Sequence, residues 1–233
     1  MSTLEAFHKL QASSVRRFAQ DPLVSLMRPV FAFFVNKINT PSWFGVGPMQ
    51  EPSDIVMFQE VLYSTRPQVL IETGTAGGGM TQIFAEFMRR IHGAGNFRVI
   101  TIERILEHPN VEDLAKIPEI SMIFGDSSDP EVVRQVQALI PEGWSVACTL
   151  DSDHSAYHVA KELDAYGPLV TPGQYLVVQD TYLGLYFPVG DYVGGPLGAV
   201  EAFLIEHPEF EIDMYPQRWL ITQNPFGWLK RKT

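Results

Sequence analysis

Four short runs of continuous apolar residues, each followed by a turn and an amphipathic stretch, constrain this chain more than any other feature. Val69-Leu70-Ile71-Glu72, Phe97 to Glu103, Ile120 to Phe124 and Val146 to Asp151 read as strands, and Gln174 to Gln179 repeats the pattern once more. The intervening segments Met80 to Ile91, Pro130 to Ile140 and Tyr157 to Tyr166 have helical spacing. Strands that are apolar on both faces must be covered on both faces, so the pattern predicts an α/β fold with a doubly wound, mostly parallel sheet. Leu197 to Glu206 then reads as a helix, and Phe210 to Met214 and Trp219 to Thr222 as an antiparallel hairpin that brings the sheet to seven strands.

Upstream, residues 1–52 read as an N-terminal helical extension with a Pro/Gly-rich linker or lid, and residues 53–233 as the ligand-binding domain. Ser53-Asp54 reads as the start of a helix over Ile55 to Ser64. Leu23 to Ile38 is apolar but carries Arg28 and Pro29 and is too short to span a bilayer. It reads as a packing helix, and with Trp43-Phe44 it suggests a homo-oligomer interface. The net charge of −10 argues against a nucleic-acid partner. The single cysteine, Cys148, sits in an apolar strand, which excludes an internal disulfide framework and makes a cytoplasmic location the default.

The residues with chemistry lie where the strands end. After the first strand comes Glu72-Thr73-Gly74-Thr75-Ala76-Gly77-Gly78-Gly79, an acidic residue followed by a glycine-rich turn into a helix. Such a turn lets backbone approach a ligand and offers the helix N-terminus to an anion. Ala76 occupies the second glycine position of the dinucleotide fingerprint, so that pattern fails. Glu72, Gly74, Thr75, Gly77 and Gly78 suit the aminoacyl end of S-adenosylmethionine (SAM). Glu103 can accept from two ribose hydroxyls of either SAM or NAD. Asp126 and Ser127 lie where adenine would sit, although Ser128 or Asp129 there can also cap the next helix. Asp151 and Asp180, at the ends of adjacent strands, make a candidate hard-cation site for Mg²⁺, with Asp151 also bordering the cofactor. His154, i, i+4 from His158, is a candidate general base, with a capping role as the alternative.

Together, the glycine-rich segment, Gly125-Asp126-Ser127, Leu150-Asp151-Ser152-Asp153-His154, Asp180-Thr181 and the ending Pro225 to Arg231 resemble the cephalosporin hydroxylase family, which includes rhamnosyl O-methyltransferase-type members of the class I methyltransferase fold. The resemblance runs from about Trp43 to the C-terminus. It implies SAM binding, a divalent cation held by Asp151, Gln179 and Asp180, and methyl transfer to a hydroxyl of a small-molecule acceptor such as a sugar or natural product, with Asp151 and His154 catalytic. Gln179 stands where the family commonly has Glu and contributes no charge, and Asp153 is a candidate to compensate. Tyr182 to Gly195 would form an acceptor wall or lid. The rival readings are a catalytically weak SAM-binding partner protein and a nucleotide-dependent oxidoreductase. No iron triad is present to support an oxygenase.

Overall fold

The computed structural model describes residues 2, 3, 5, 26, 28–30, 42–105, 111–186, 194–218 and 221–233. Seven strands form one sheet: β1 (Val69–Thr73), β2 (Arg98–Glu103), β3 (Ile120–Phe124), β4 (Val146–Leu150), β5 (Tyr175–Val178), β6 (Phe210–Ile212) and β7 (Trp228–Arg231). Their order is β3-β2-β1-β4-β5-β7-β6. The first five run parallel, and β7 runs antiparallel to both neighbours. The predicted doubly wound sheet is therefore present, with strand boundaries within a residue or so of expectation for β1 to β5.

Alternation along each strand separates two cores. Val69 and Ile71 join Cys148, Leu163, Val200 and Phe203 on one face, while Leu70 joins Phe58, Phe84, Val177 and Trp228 on the other. Helices α1 (Pro52–Thr65) and α2 (Gly79–His92) cover the second face. After the short α3 (Val111–Leu114), α4 (Pro130–Leu139) and α5 (Ala156–Tyr166) cover the first. Following the five-residue α6 (Tyr182–Tyr186), α7 (Gly195–Glu206) completes that layer. Cys148 is fully buried and free, as a packed strand residue should be.

The terminal hairpin uses a different second strand from the one expected. Thr222 lies in no strand, and Trp219 and Leu220 fall outside the described residues. Both candidate segments open with Trp-Leu, so local propensity did not separate them. Trp228 wins because it is fully buried, with its ring 4.8 Å from that of Phe58. Thr222 instead donates to the buried Asp54 carboxylate at 2.5 Å, and the Gln223 N–H adds a second bond at 2.7 Å. Asp54 lies in the first turn of α1, which starts one residue before the Ser53-Asp54 start expected. The α1 cap position is Glu51, without a side-chain hydrogen bond, and Pro52 opens the helix. Burial pushes the Asp54 carboxyl up to about 7, the Thr222 and Gln223 bonds opposing it.

Residues 42–52 run from α2, where Trp43 meets Glu86, to the end of β5, where Gln50 meets Gln179. Trp43 Nε1 donates to Glu86 on α2 at 2.9 Å, and a Cβ on Gly79 would come within 2.4 Å of the Gly47 carbonyl oxygen. Among the described residues no helix is long and apolar enough to cross a membrane. The stretch Leu23 to Ile38 falls almost wholly outside the described residues, as do 187–193 of the expected lid.

Candidate functional site

At Gly74 and Gly78 the glycine-rich turn is held by contacts that leave no space for a side chain. Gly74 has φ +83, and a Cβ there would lie 2.0 Å from the Asp151 carbonyl oxygen. Gly78, at φ +78, is the N-cap of α2, and a Cβ would lie 2.3 Å from Leu114. Gly77 borders open space. Thr75 and Thr101 share a hydrogen bond of 2.6 Å between hydroxyls. Glu72, in register with Thr101, is buried beneath this turn and accepts from Thr81 at 2.5 Å and Thr101 at 2.7 Å. Burial raises its carboxyl to about 7 against those two hydroxyls, with the Glu103 charge adding to the rise. The structure therefore sets Glu72 below the turn and not among the residues lining the cleft described next.

A cleft of about 280 Å³ opens where β1, β2, β3 and β4 end, and its walls include Gly74, Ala76, Glu103, Asp126, Ser127 and Asp151. Glu103 is anchored by backbone: the Ala76 N–H donates to Oε2 at 2.7 Å, and the Arg104 and Ile105 N–H groups donate to Oε1 at 2.8 Å. At Asp126, burial acts to raise the carboxyl. The Ser128 N–H and hydroxyl, both at 2.8 Å, outweigh it and hold the group below its usual range. Asp129 caps α4 by accepting from the Glu131 N–H, so capping and cleft lining occur side by side in this loop.

Sequence reasoning missed what lies behind this wall. Ser152 and His158 also line the cleft. The fully buried Glu162 accepts from the Ser127 hydroxyl at 2.6 Å and the Ser152 hydroxyl at 2.7 Å. A signal was available: Glu162 sits among Val159, Leu163 and Tyr166 on the buried stripe of α5, where a carboxylate must have partners.

Beside the cleft, Asp151, His154 and Asp180 present ligand atoms within 4.8 Å of one another. His154 Nε2 lies 3.2 Å from Asp180 Oδ2. Burial pushes the Asp151 carboxyl up, and the Asp180, Glu72 and Glu162 charges push it further. Burial raises Asp180 as well, with His154 opposing. Asp180 is left-handed, at φ +54, a conformation that costs a non-glycine residue about 1–3 kcal/mol and persists where its surroundings impose it. Asn224 does so by accepting from the Asp180 N–H at 3.0 Å, and Thr181 donates to the Pro225 carbonyl at 2.7 Å.

Gln179, expected beside this cluster, has both ends of its carboxamide engaged elsewhere. It donates to Thr149 Oγ1 at 2.8 Å and accepts from Gln50 Nε2. Asp153 is likewise turned to the Ser155 N–H at 2.8 Å. Ser155 caps α5, which leaves His154 free to face Asp180.

The family model for "Rhamnosyl O-methyltransferase/CmcI" matches residues 36–232. A rhamnosyl O-methyltransferase of Mycobacterium leprae (strain TN) is 33% identical over 178 residues, covering 76% of this chain and 76% of that protein. That of Mycobacterium bovis (strain BCG / Pasteur 1173P2) is 32% identical over 190 residues, covering 80% and 74%. Among solved structures, CmcI described with Mg and SAM aligns with a TM-score of 0.62 at 20% identity, covering 84% of this chain and 78% of that one. A TDP-rhamnose 3′-O-methyltransferase of calicheamicin biosynthesis aligns at 0.54 and 15%, covering 94% and 99%. The match across most of the chain, on a sheet with this order and these strand ends, places the chain in the rhamnosyl O-methyltransferase/CmcI family of SAM-dependent O-methyltransferases.

Proposed function

We propose that this enzyme transfers the methyl group of SAM to a hydroxyl of a rhamnosyl or related sugar-bearing small molecule, assisted by a divalent cation. The observation that carries the reading is that Asp151 belongs both to the cleft wall and to the carboxylate–histidine cluster, so the two halves of such a reaction meet at one residue.

The adenosyl group would lie in the cleft, with Glu103 receiving ribose hydroxyls and Asp126 and Ser127 facing adenine. The Gly74–Gly78 turn and the start of α2 would take the carboxylate of the aminoacyl end, with Glu72 beneath them setting the charge of the turn. The residues also fit a cation. Two carboxyls whose ionisation is opposed by burial gain most from a positive charge between them, and their oxygens suit Mg²⁺. Asp151 and Asp180 would hold it; Gln179, engaged with Thr149 and Gln50, would instead dock the 42–52 segment. SAM supplies an electrophilic methyl group, and a bound cation supplies acidity to a hydroxyl beside it. His154 would receive the acceptor's proton at Nδ1, the ring nitrogen not turned to Asp180, while Asp180, 3.2 Å from Nε2, accepts from that N–H, orients the ring and stabilises the charge it gains. A cytoplasmic homo-oligomer remains part of this reading.

Methyl transfer from radiolabelled SAM to a rhamnosyl acceptor panel tests it. Chelation and Asp151→Ala should each lower turnover by at least about 100-fold, the upper end of what disturbing a metal site's supports costs. Unchanged turnover under both overturns the cation; absence of SAM binding in calorimetry overturns the whole assignment.

A further inference from the structure

We infer that Glu162 is a positioning residue that sets the hydrogen-bond polarity of the cleft wall, so that the site selects a base carrying an exocyclic amine over one carrying a carbonyl in its place. The inference rests on the reading of the cleft as the adenosyl site and extends it to residues behind the wall.

A seryl hydroxyl has one proton to donate and two lone pairs to accept with. Ser127 and Ser152 both line the cleft, and both direct that proton to the same atom, Glu162 Oε1, at 2.6 and 2.7 Å. Glu162 is fully buried, on the helix face packed under the sheet, so its carboxylate has no water to solvate it and is a stronger acceptor for those protons than a neutral group in the cleft. His158 Nε2 lies 3.0 Å from Ser127 Oγ. With the Ser127 proton already given to Glu162, the imidazole is the donor in that contact. One lone pair on Ser127 and two on Ser152 are left, on oxygens 3.4 Å apart, and the Asp126 carboxylate that lines the cleft with them only accepts. The Ser127, Ser152 and Asp126 side chains therefore meet a ligand as acceptors, while the His158 Nε2 proton is turned to Ser127. An amine finds partners there; a carbonyl oxygen meets other oxygens. Tyr166 reinforces the arrangement by donating to the Ser127 carbonyl at 2.7 Å, which fixes the residue's backbone over Glu162. The second carboxylate oxygen, Glu162 Oε2, is buried with no hydrogen-bond partner among the described residues. A buried carboxylate with one oxygen unsatisfied is a costly residue to hold on a core helix face, where an apolar side chain would pack without that cost. A role in directing the two hydroxyls accounts for its presence.

The probes are S-adenosylhomocysteine and S-inosylhomocysteine, which differ in carrying an amine or a carbonyl at that position, titrated calorimetrically into the full chain. The wild type should prefer the adenosyl ligand by about 10- to 100-fold, the effect of one hydrogen bond exchanged for an unsatisfied buried pair. Glu162→Met frees both hydroxyls to turn their protons to the cleft, and the preference should fall to about 3-fold or less. Glu162→Gln, which can put its carboxamide oxygen where Oε1 sits, should restore most of it. A general loss of packing would lower both affinities in both variants and leave the ratio unmoved. Ser152→Ala, on a partly exposed residue, should weaken the adenosyl ligand alone and guards against a Met variant that does not fold. A folded Glu162→Met protein with the wild-type ratio overturns the inference while sparing the cleft. Failure of the cleft reading is distinct: Glu103→Ala would then leave both affinities untouched, whereas loss of a shared ribose contact weakens both equally.

Discussion

The two halves of the sheet's carboxyl edge are built by different means. Around β1 to β3, the cleft walls come from residues at or just beyond the ends of neighbouring strands: Gly74 to Gly78, Glu103 with the N–H groups of Ala76, Arg104 and Ile105, and Asp126 with Ser128. Around β4 and β5, the cluster depends on distant chain. Asp180 is held left-handed by Asn224, Thr222 and Gln223 are clamped by Asp54 of α1, and Gln179 is bonded to Gln50. Backbone N–H groups and glycines at neighbouring strand ends can receive a neutral or anionic ligand without bringing like charges together. Bringing two carboxylates together opposes their charge, and needs a scaffold of neutral hydrogen bonds from elsewhere to hold them.

The sharpest break of this contrast is a pair of variants. Glu103→Ala should weaken S-adenosylhomocysteine binding by about 10- to 100-fold, the loss of hydrogen bonds to a charged group, and leave Mn²⁺ affinity, read by paramagnetic resonance, unchanged. Asp180→Ala should do the reverse. If both variants alter both ligands, the two halves are one cooperative unit. Next, Asn224→Leu, far from any cleft residue in sequence, should lower Mn²⁺ affinity by about 10-fold with S-adenosylhomocysteine binding intact, since it removes the acceptor that holds the Asp180 turn. An unchanged ion affinity would show that the turn holds itself.

A smaller effect concerns Glu72. Its folded carboxyl lies near 7, above its usual 4.5, so the folded state binds the extra proton. Stability then falls as pH rises from about 4.5 to 7 and levels off beyond. Glu72→Gln keeps an acceptor for Thr81 and Thr101 and should flatten that decline, with a gain of about 2–3 kcal/mol at pH 8 relative to pH 5 in denaturant titrations. A variant with the wild-type pH slope would show that other buried carboxyls, Asp54 first, set it.

The same contrast explains what could be read in advance. Strands β1 to β5, the glycine-rich turn, Glu103 and Asp126 follow from runs of apolar residues ending in polar ones, a pattern contained within each segment. Asp151 and Asp180 were legible because the ends of neighbouring parallel strands share an edge. Gln179 was read as a ligand beside them because sequence places it next to Asp180, and only its partners Thr149 and Gln50 show where its side chain goes. The hairpin strand was misplaced for a related reason: Trp219 and Trp228 both head Trp-Leu pairs, and the choice between them was made by Phe58 and Asp54, more than 160 residues away in the chain.

Sequence alone thus determined the five parallel strands, their carboxyl-edge turns and the class of ligand they admit, because periodicity and turn chemistry act over a few residues. Tertiary structure decided which side chains at that edge face a ligand and which face one another. Buried polar groups take whatever partner packing brings within reach, and for Glu162, Gln179 and Asp54 that partner lies on another element of the fold.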